Sequence, residues 1–452
     1  MTNSKWIRRA LLGGVAMAVM ATGAQADDLS DLKAQIEALQ ARVNTIESRG
    51  AALPEGVSLI TFQRGSKEIA MVGGDDTDLL DRAPEGRGFT IAITPTADLP
   101  APATEITLSG SIRVLALWGK AKFAGASDND FDLAARGTLN IRSKTDTAVG
   151  QVRTRIQIRN QFSSYGFSAG GTDPMPGDET TPRVEARLAY GEWDFMPGWT
   201  LLAGHAGQIA AVTNVAYPTQ PAMYGLDSTR HNQIRLTYSG GPITFGVGIE
   251  NPSRDNLNNT NPSNGITNTT RVPDFAGFAQ FNAPGGISLR VTGEAGKVGE
   301  MNAAGTASLG TDTGYLVGVG AAMSIAQINL NAGFVYTKGL GCDSIFSAAG
   351  GYCRVGARND SGDLAKGYGA QVNAGVGLTE TVSANASFGY FNYTNLTLAG
   401  NFDHGYSVGG NIVWRPVEAL QVAAEVDYFN AKTVGGNRAK TFVGGLGFWF
   451  FF

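Results

Sequence analysis

The stretch Gln151–Val152–Arg153–Thr154–Arg155–Ile156–Gln157–Ile158–Arg159–Asn160–Gln161–Phe162 alternates between two kinds of side chain. Odd positions carry glutamine and arginine, whereas even positions carry mostly valine, threonine, isoleucine and phenylalanine, with Asn160 as the exception. Successive side chains of a β-strand point to opposite faces, so this stretch predicts a strand with one charged and one apolar face. A soluble sheet could show the same pattern, with its arginines in water and its isoleucines in a core.

The preceding segment repeats the alternation. Its polar and apolar positions are Asp130, Asp132, Arg136, Thr138, Asn140, Arg142 and Lys144 against Phe131, Leu133, Leu139 and Ile141. We expect a short turn at Thr145–Asp146–Thr147 to join the two strands. Repeated segments of about ten residues with alternating hydrophobicity are typical of a transmembrane β-barrel, in which polar residues line a wet lumen and apolar residues face lipid.

The alternation is sustained from Glu105 to the C-terminus and predicts an all-β transmembrane fold, an antiparallel β-barrel of about sixteen strands over residues 105–452. One of these runs opposes Arg183, Glu185 and Arg187 to Val184, Ala186 and Leu188. Short connections alternate with long polar ones, which are predicted at 163–182, 207–229, 251–270 and 339–365. Aromatic residues are expected to form a girdle at the lipid–water boundary near the short turns: Trp193, Phe195, Trp199, Trp414 and Tyr428.

The first residues are typical of an export signal. Lys5, Arg8 and Arg9 precede a short apolar run that ends in Ala24–Gln25–Ala26, which predicts a signal peptide over residues 1–26. Its removal takes away three positive charges and no negative charge, so the formal net charge of −4 becomes −7. This mildly acidic balance argues against nucleic acid as a partner.

Residues 27–48 show a heptad pattern. Apolar residues recur at spacings of three and four at Leu29, Leu32, Ile36, Leu39, Val43 and Ile46. Arg42 and Glu47 flank this seam in a known trimerisation pattern, so we expect a short, periplasmic, trimeric coiled coil. Two alternatives stay open: a single amphipathic helix packed on the barrel mouth, and a structural tether that reaches from the outer membrane to the peptidoglycan of the cell wall.

Residues 49–104 are predicted to be a connecting region. Residues 58–62 and 89–93 favour short strands, and Pro95, Pro100 and Pro102 indicate an extended linker. The sequence assigns no function to this region.

The two cysteines, Cys342 and Cys353, flank a loop rich in glycine, alanine and serine. Because disulfides form in exported proteins, we expect these cysteines to pair with each other. Two buried free thiols are the alternative.

The last strand ends in a run of aromatic residues. Leu446, Phe448, Phe450 and the terminal Phe452 share one face of the predicted strand. This ending resembles the sorting signal read by the outer-membrane assembly machinery, which is therefore an expected partner.

Three stretches carry a resemblance to a known family: Ile412–Val417, which leads into Gln421–Tyr428, and Arg271–Phe275. On these stretches the chain resembles the porins of alphaproteobacteria, over roughly residues 105–452. The resemblance implies a sixteen-stranded, homotrimeric general diffusion pore in the outer membrane of a Gram-negative bacterium, through which small hydrophilic solutes pass. It also implies that the third long loop, here 207–229, folds inward.

The predicted lumen is basic. We expect its wall to carry an arginine ladder: Arg113, Arg136, Arg142, Arg153, Arg155, Arg159, Arg183, Arg187 and Arg235. Candidate residues of the constriction loop are Tyr217, Met223, Tyr224 and Asp227. This charge pattern predicts a small preference for anions, unless acidic residues form a collar at the outer mouth. For each arginine, a structural salt bridge is the alternative to a role in flux.

The sequence offers little support for an enzyme. The sequence has only three histidines, His205, His231 and His404, and shows no local Ser–His arrangement and no metal-ligand spacing. We therefore expect neither an enzyme nor a cofactor or metal site. A substrate-selective anion or phosphate channel is the nearest alternative, because phosphate channels use arginine ladders.

Overall fold

The computed structural model describes residues 59–65, 69–72, 83–84, 87–94, 103–162, 183–212, 230–251, 272–301, 308–340, 363–397, 399 and 402–452. The predicted signal peptide (1–26) and coiled coil (27–48) lie outside these residues. Two compact units are distinguished, one of residues 1–60 and 93–101 and one of residues 61–92 and 102–452.

The described residues form eighteen strands. Two short strands come first, β1 (Leu59–Arg64) and β2 (Phe89–Thr94). The other strands are β3 (Thr104–Phe123), β4 (Ala126–Thr147), β5 (Gly150–Phe162), β6 (Arg183–Met196), β7 (Trp199–Gly207), β8 (Arg230–Gly240), β9 (Ile243–Glu250), β10 (Asp274–Ala283), β11 (Ile287–Met301), β12 (Ser308–Ile325), β13 (Ile328–Lys338), β14 (Lys366–Gly377), β15 (Val382–Tyr393), β16 (Phe402–Val417), β17 (Leu420–Thr433) and β18 (Arg438–Phe451).

The strands β3 to β18 close into a barrel. Each one pairs antiparallel with the next, and β18 pairs with β3 from Phe451 opposite Ser111 to Ala439 opposite Phe123. Closure removes the exposed sheet edges that an open sheet of this size would present. The predicted sixteen-stranded antiparallel barrel is therefore confirmed, with β3 beginning one residue before the expected start at 105.

The barrel is apolar outside and polar inside. On β5 the Arg155 side chain is 2% exposed while its neighbour Ile156 is 41% exposed, and on β14 Gln371 is buried while Val372 is 52% exposed. This inversion of the usual soluble pattern is what lipid around the barrel and polar groups within it require. Among the described residues, no helix combines the length and the apolar character needed to cross a membrane.

Connections at one end of the barrel are short turns, which face the periplasm in outer-membrane barrels. The first of these turns is Ala148–Val149 rather than the predicted 145–147. The strand pairing continues to Thr147 opposite Gly150, whose φ of 115° lies in a region that L side chains rarely adopt. Glycine at this position therefore allows the chain to reverse within two residues.

Aromatic side chains lie on the outer surface at both ends. At the short-turn end, the rings of Trp199 and Tyr238 lie 5.1 Å apart, and the Trp193 indole nitrogen donates to the Val149 carbonyl oxygen. Tyr428 was predicted to lie there too, but it lies toward the opposite end of β17, beyond the point at which Gly409 faces Asp427. Its ring is 6.2 Å from that of Tyr406, in a row of tyrosines on neighbouring strands.

A β-bulge in β6 breaks the alternation. Gln157 lies opposite Leu188 and Ile158 lies opposite Ala186, so Arg187 has no direct partner in the register. The bulge turns Leu188 into the lumen, where it is fully buried, instead of onto the lipid face that the sequence predicted.

Candidate pore lining

The strands β3 to β6 and β8 place the predicted arginine ladder on the inner wall. The inward-facing arginines that are less than a tenth exposed are Arg113, Arg136, Arg153, Arg155, Arg159, Arg187 and Arg235. Arg142 is half-buried on the same face of β4, opposite Arg155. The backbone of Arg183 lies opposite Gln161, and its side chain lies outside the described part of the structure.

The register concentrates positive charge in two rows. Arg113 lies directly opposite Arg136, and Arg142 lies directly opposite Arg155. The charges in these facing positions have the same sign, so they repel each other and together give the wall a strong positive potential. Guanidinium groups suit phosphate and carboxylate because they can form paired hydrogen bonds with two oxygens.

Arg153 has a structural role as well as a place in the ladder. Its guanidinium lies 3.0 Å from the buried Glu192 carboxylate and 2.7 Å from the Asp194 carboxylate. The Thr200 hydroxyl donates to the same Asp194 oxygen at 2.6 Å. Arg153 therefore joins β5, β6 and β7 near the short-turn end.

Arg187 and Gln157 form a second polar link. The Arg187 guanidinium donates to the Gln157 side-chain oxygen at 3.2 Å, and the Gln157 amide nitrogen donates to the Asn140 side-chain oxygen at 2.8 Å. The bulged residue is thereby held in the lumen next to the ladder.

An acidic wall lies on β9 to β11. Glu250, Asp274 and Glu294 face the lumen and are less than 5% exposed. Glu250 lies opposite both Asp274 and Gln233 in the register. These carboxylates were not among the residues predicted from the sequence, although their inward parity in alternating strands is a signal that could have identified them.

The carboxylates hold the start of the long loop predicted at residues 207–229. The Ile209 backbone nitrogen donates to Glu250 at 2.8 Å, and the Gln208 side chain donates to Glu294 at 2.9 Å. On β11, Thr292 donates to the Ala210 carbonyl oxygen and Arg290 donates to the Ile209 carbonyl oxygen. Residues 208–212, which we call the loop root, therefore pack on the inner wall, whereas the rest of the loop that the resemblance implied to fold inward lies outside the described residues.

The candidate constriction residues Tyr217, Met223, Tyr224 and Asp227 lie outside the described residues, as do Cys342 and Cys353. Their roles stay predictions. Among the described residues, no group of three or more histidine, cysteine, aspartate or glutamate side chains could hold a metal ion.

Apolar side chains occupy the lumen on the other half of the barrel. Ile209 and Val212 of the loop root belong to a buried cluster with inward-facing residues of β10 to β18, which include Leu316, Val335, Phe391 and Phe429. Aromatic residues were predicted mainly on the lipid face, so this lumenal cluster was not predicted from the sequence. The loop root and this apolar cluster therefore narrow the lumen from the side opposite the basic wall.

A porin subfamily model matches residues 99–442, more than half of the chain. The chain belongs to the porins. With the closed barrel and its polar inner wall, this membership makes the protein a passive diffusion channel of the outer membrane. No curated protein matches the sequence.

Solved porin structures share the fold of this porin. The outer membrane channel DcaP of Acinetobacter baumannii has 17% identity and a TM-score of 0.57, with 77% of this chain and 97% of that chain covered. The anion-selective porin from Comamonas acidovorans has 12% identity and a TM-score of 0.52, with 77% and 100% covered. OmpF of Salmonella typhi, solved in complex with daunomycin, has 13% identity and a TM-score of 0.51, with 77% and 98% covered.

Proposed function

We propose that this porin is a general diffusion pore for small hydrophilic solutes with a preference for anions. The observation that carries the proposal is the separation of charge across the lumen. Arginines line β3 to β6 and β8, whereas the carboxylates of Glu250 and Glu294 are occupied by hydrogen bonds to the loop root. The positive potential of the arginine-rich wall therefore favours the entry of anions.

The same barrel architecture accommodates anion selectivity elsewhere. The porin from Comamonas acidovorans, which has a similar fold, is described as anion-selective. At 12% identity the likeness concerns the fold alone, so the selectivity of this porin is argued from its own arginines.

Single-channel currents in a planar bilayer under a potassium chloride gradient test the proposal. The sign of the reversal potential reports which ion passes more readily, and we expect the sign for chloride. Arg155→Gln should move the reversal potential toward zero because it removes a lumenal charge. Lys297→Gln removes the same charge from the outward face of β11 and should leave the reversal potential unchanged. A potassium preference of the native protein would overturn the proposal.

A phosphate-selective channel is the second candidate, and the facing pairs Arg113–Arg136 and Arg142–Arg155 favour it. In that case the arginines are a binding track, so current should saturate with phosphate concentration and phosphate should block chloride current. Linear, unblocked current would exclude this candidate.

The proposed function also includes an oligomeric state, a route of export and a bacterial source. We propose a homotrimer of alphaproteobacterial type that is exported by residues 1–26 and delivered to the assembly machinery through Phe452. The outward exposure of both Phe450 and Phe452 supports the last step. Chemical cross-linking of the purified protein tests the trimer.

A tether to the cell wall through residues 27–48 would coexist with the pore. Deletion of residues 27–48 should then weaken envelope attachment without a change in conductance. Unchanged attachment would remove the tether from the proposal.

A further inference from the structure

Residues 61–92 belong to the same compact unit as the barrel. Within this segment, Gly65 and Gly88 lie next to each other. The Gly65 backbone nitrogen donates to the Gly88 carbonyl oxygen at 2.9 Å, and the Thr90 hydroxyl donates to the Gly65 carbonyl oxygen at 3.0 Å. The chain therefore leaves the β1–β2 pair at Gly65 and returns to it at Gly88. The contact between Gly65 and Gly88 would therefore hold the two strands together if the residues between them were deleted.

The first anchor of this segment lies on the lumenal wall of β6 to β8. Ile69 is buried, and Met71 packs against a pocket of four inward-facing side chains, Leu188, Tyr190, Leu202 and Ala206. The Arg235 guanidinium donates to the Val72 carbonyl oxygen at 3.0 Å. Arg235, which the sequence assigned to the ladder, thus binds the chain's own backbone.

The second anchor lies on the wall formed by β3 and β18. Ala83 packs against a buried lumenal cluster that includes Leu115, Leu117 and Trp449. The Arg87 guanidinium donates to the Phe451 carbonyl oxygen at 3.2 Å. The two anchors stand on either side of β4 and β5, the strands that carry most of the arginine ladder.

The first anchor lies near the periplasmic mouth. Val72 lines a cavity of about 510 Å³ with Arg153 and Asp194, and the short turn Pro197–Gly198 lines it too. The segment therefore occupies part of the lumen at the periplasmic end, beside Arg153 and Arg235 of the ladder.

We propose that Ile69–Val72, Ala83 and Arg87 form a lumenal plug, which is seated at the periplasmic mouth and contacts Arg235 of the arginine wall. The plug limits current, and its displacement widens the mouth and releases the Arg235 side chain. The proposal rests on the proposed function, because a plug regulates flux only in a protein that conducts. The region between residues 49 and 104, to which no function could be assigned from the sequence, thereby acquires a role in permeation.

The first test replaces residues 66–87 with Asn-Gly, a pair that favours the tight turn of a hairpin. The Gly65–Gly88 pair keeps β1 and β2 in register, and the mobility of unboiled protein on gels verifies that the barrel is folded. We expect single-channel conductance in a planar bilayer to rise by about twofold or more, because a wider mouth carries more current. We also expect the reversal potential to shift further toward that of chloride.

A matched pair of point variants tests the plug without shortening the chain. Met71→Asp places a carboxylate in the apolar pocket of the first anchor, where burial of an unpaired charge is costly, so the displaced state should become more populated. Ala70→Asp adds the same charge at the adjacent exposed residue. We expect Met71→Asp to increase the fraction of time at high conductance, and Ala70→Asp to behave as the native protein.

The outcomes separate the plug from the pore itself. Equal conductance in the native protein, the Asn-Gly replacement and Met71→Asp would overturn the plug and leave the proposed function intact. The plug would be established if the Asn-Gly replacement carried a much larger current than the native protein. Absence of current in both, with both barrels folded, would overturn the proposed function and the plug together.

Discussion

Gly110 and Phe452 exchange two backbone hydrogen bonds across the seam that closes the barrel. The Gly110 nitrogen donates to the Phe452 carbonyl oxygen, and the Phe452 nitrogen donates to the Gly110 carbonyl oxygen, each at 3.1 Å. The terminal ring covers Gly110 so closely that a Cβ there would overlap the ring. The last residue of the chain therefore fastens the first strand of the barrel to the last.

Gly110→Ala should weaken this closure. Its methyl group would overlap the Phe452 ring and lie 2.5 Å from the Thr138 carbonyl oxygen, so the seam must shift, at a cost of about 1–3 kcal/mol. The midpoint temperature at which folded protein is lost on unboiled gels measures the effect. Gly444→Ala is the control, because its Cβ would have 4.0 Å to the nearest atom, the Glu425 carbonyl oxygen. Equal midpoints for the two variants would contradict the prediction.

The lipid face of β14 offers a direct test of the barrel's orientation. Val372→Arg places a charge on the outward surface, where an arginine costs about 2–4 kcal/mol at the bilayer midplane. Gln371→Arg places the same residue in the lumen, between Gly333 and Gly389 on the neighbouring strands. Refolding into lipid vesicles should be impaired more by Val372→Arg than by Gln371→Arg. The reverse order would show that the faces are assigned wrongly.

Arg153 should matter more for stability than for selectivity. Arg153→Gln removes the guanidinium that lies 3.0 Å from the fully buried Glu192 carboxylate, and breaking a buried pair costs about 3–5 kcal/mol. The double variant Arg153→Gln/Glu192→Gln removes both charges and should recover part of this loss. Unfolding in urea, followed by tryptophan fluorescence, measures both effects. A double variant less stable than the single one would show that the pair is not coupled in this way.

The barrel could be predicted from the sequence because its two solvents impose a period of two on every strand. In β5, the arginines of the lumen alternate with the isoleucines of the lipid face, and Asn160 is the exception on the apolar side. The long connections were predictable for a related reason, since polar residues with no alternation mark where a strand leaves the membrane. β5 ends at Phe162 and β6 begins at Arg183, the bounds that the predicted loop 163–182 gives.

The occupants of the lumen could not be predicted in this way. Met71 and Val72 contact β6 to β8 across more than a hundred residues of sequence, and no local pattern encodes such packing. The bulge at Arg187 was hidden because Arg187 and Leu188 both point inward, which a strict period of two excludes. The wall of the pore could therefore be predicted from the sequence, whereas only the structure shows which segments of the chain pack inside it.

Glu250 should control the anchoring of the loop root. Glu250→Ala removes the acceptor for the Ile209 backbone nitrogen and leaves a buried donor unsatisfied, at a cost of about 1–3 kcal/mol. We expect a lower midpoint of thermal unfolding and noisier open-channel current, because the loop root packs on the inner wall. Glu250→Gln keeps a side-chain oxygen in place and should stay close to the native protein in both measurements. If the glutamine variant matched the alanine variant, the carboxylate charge rather than the hydrogen bond would be what holds Ile209.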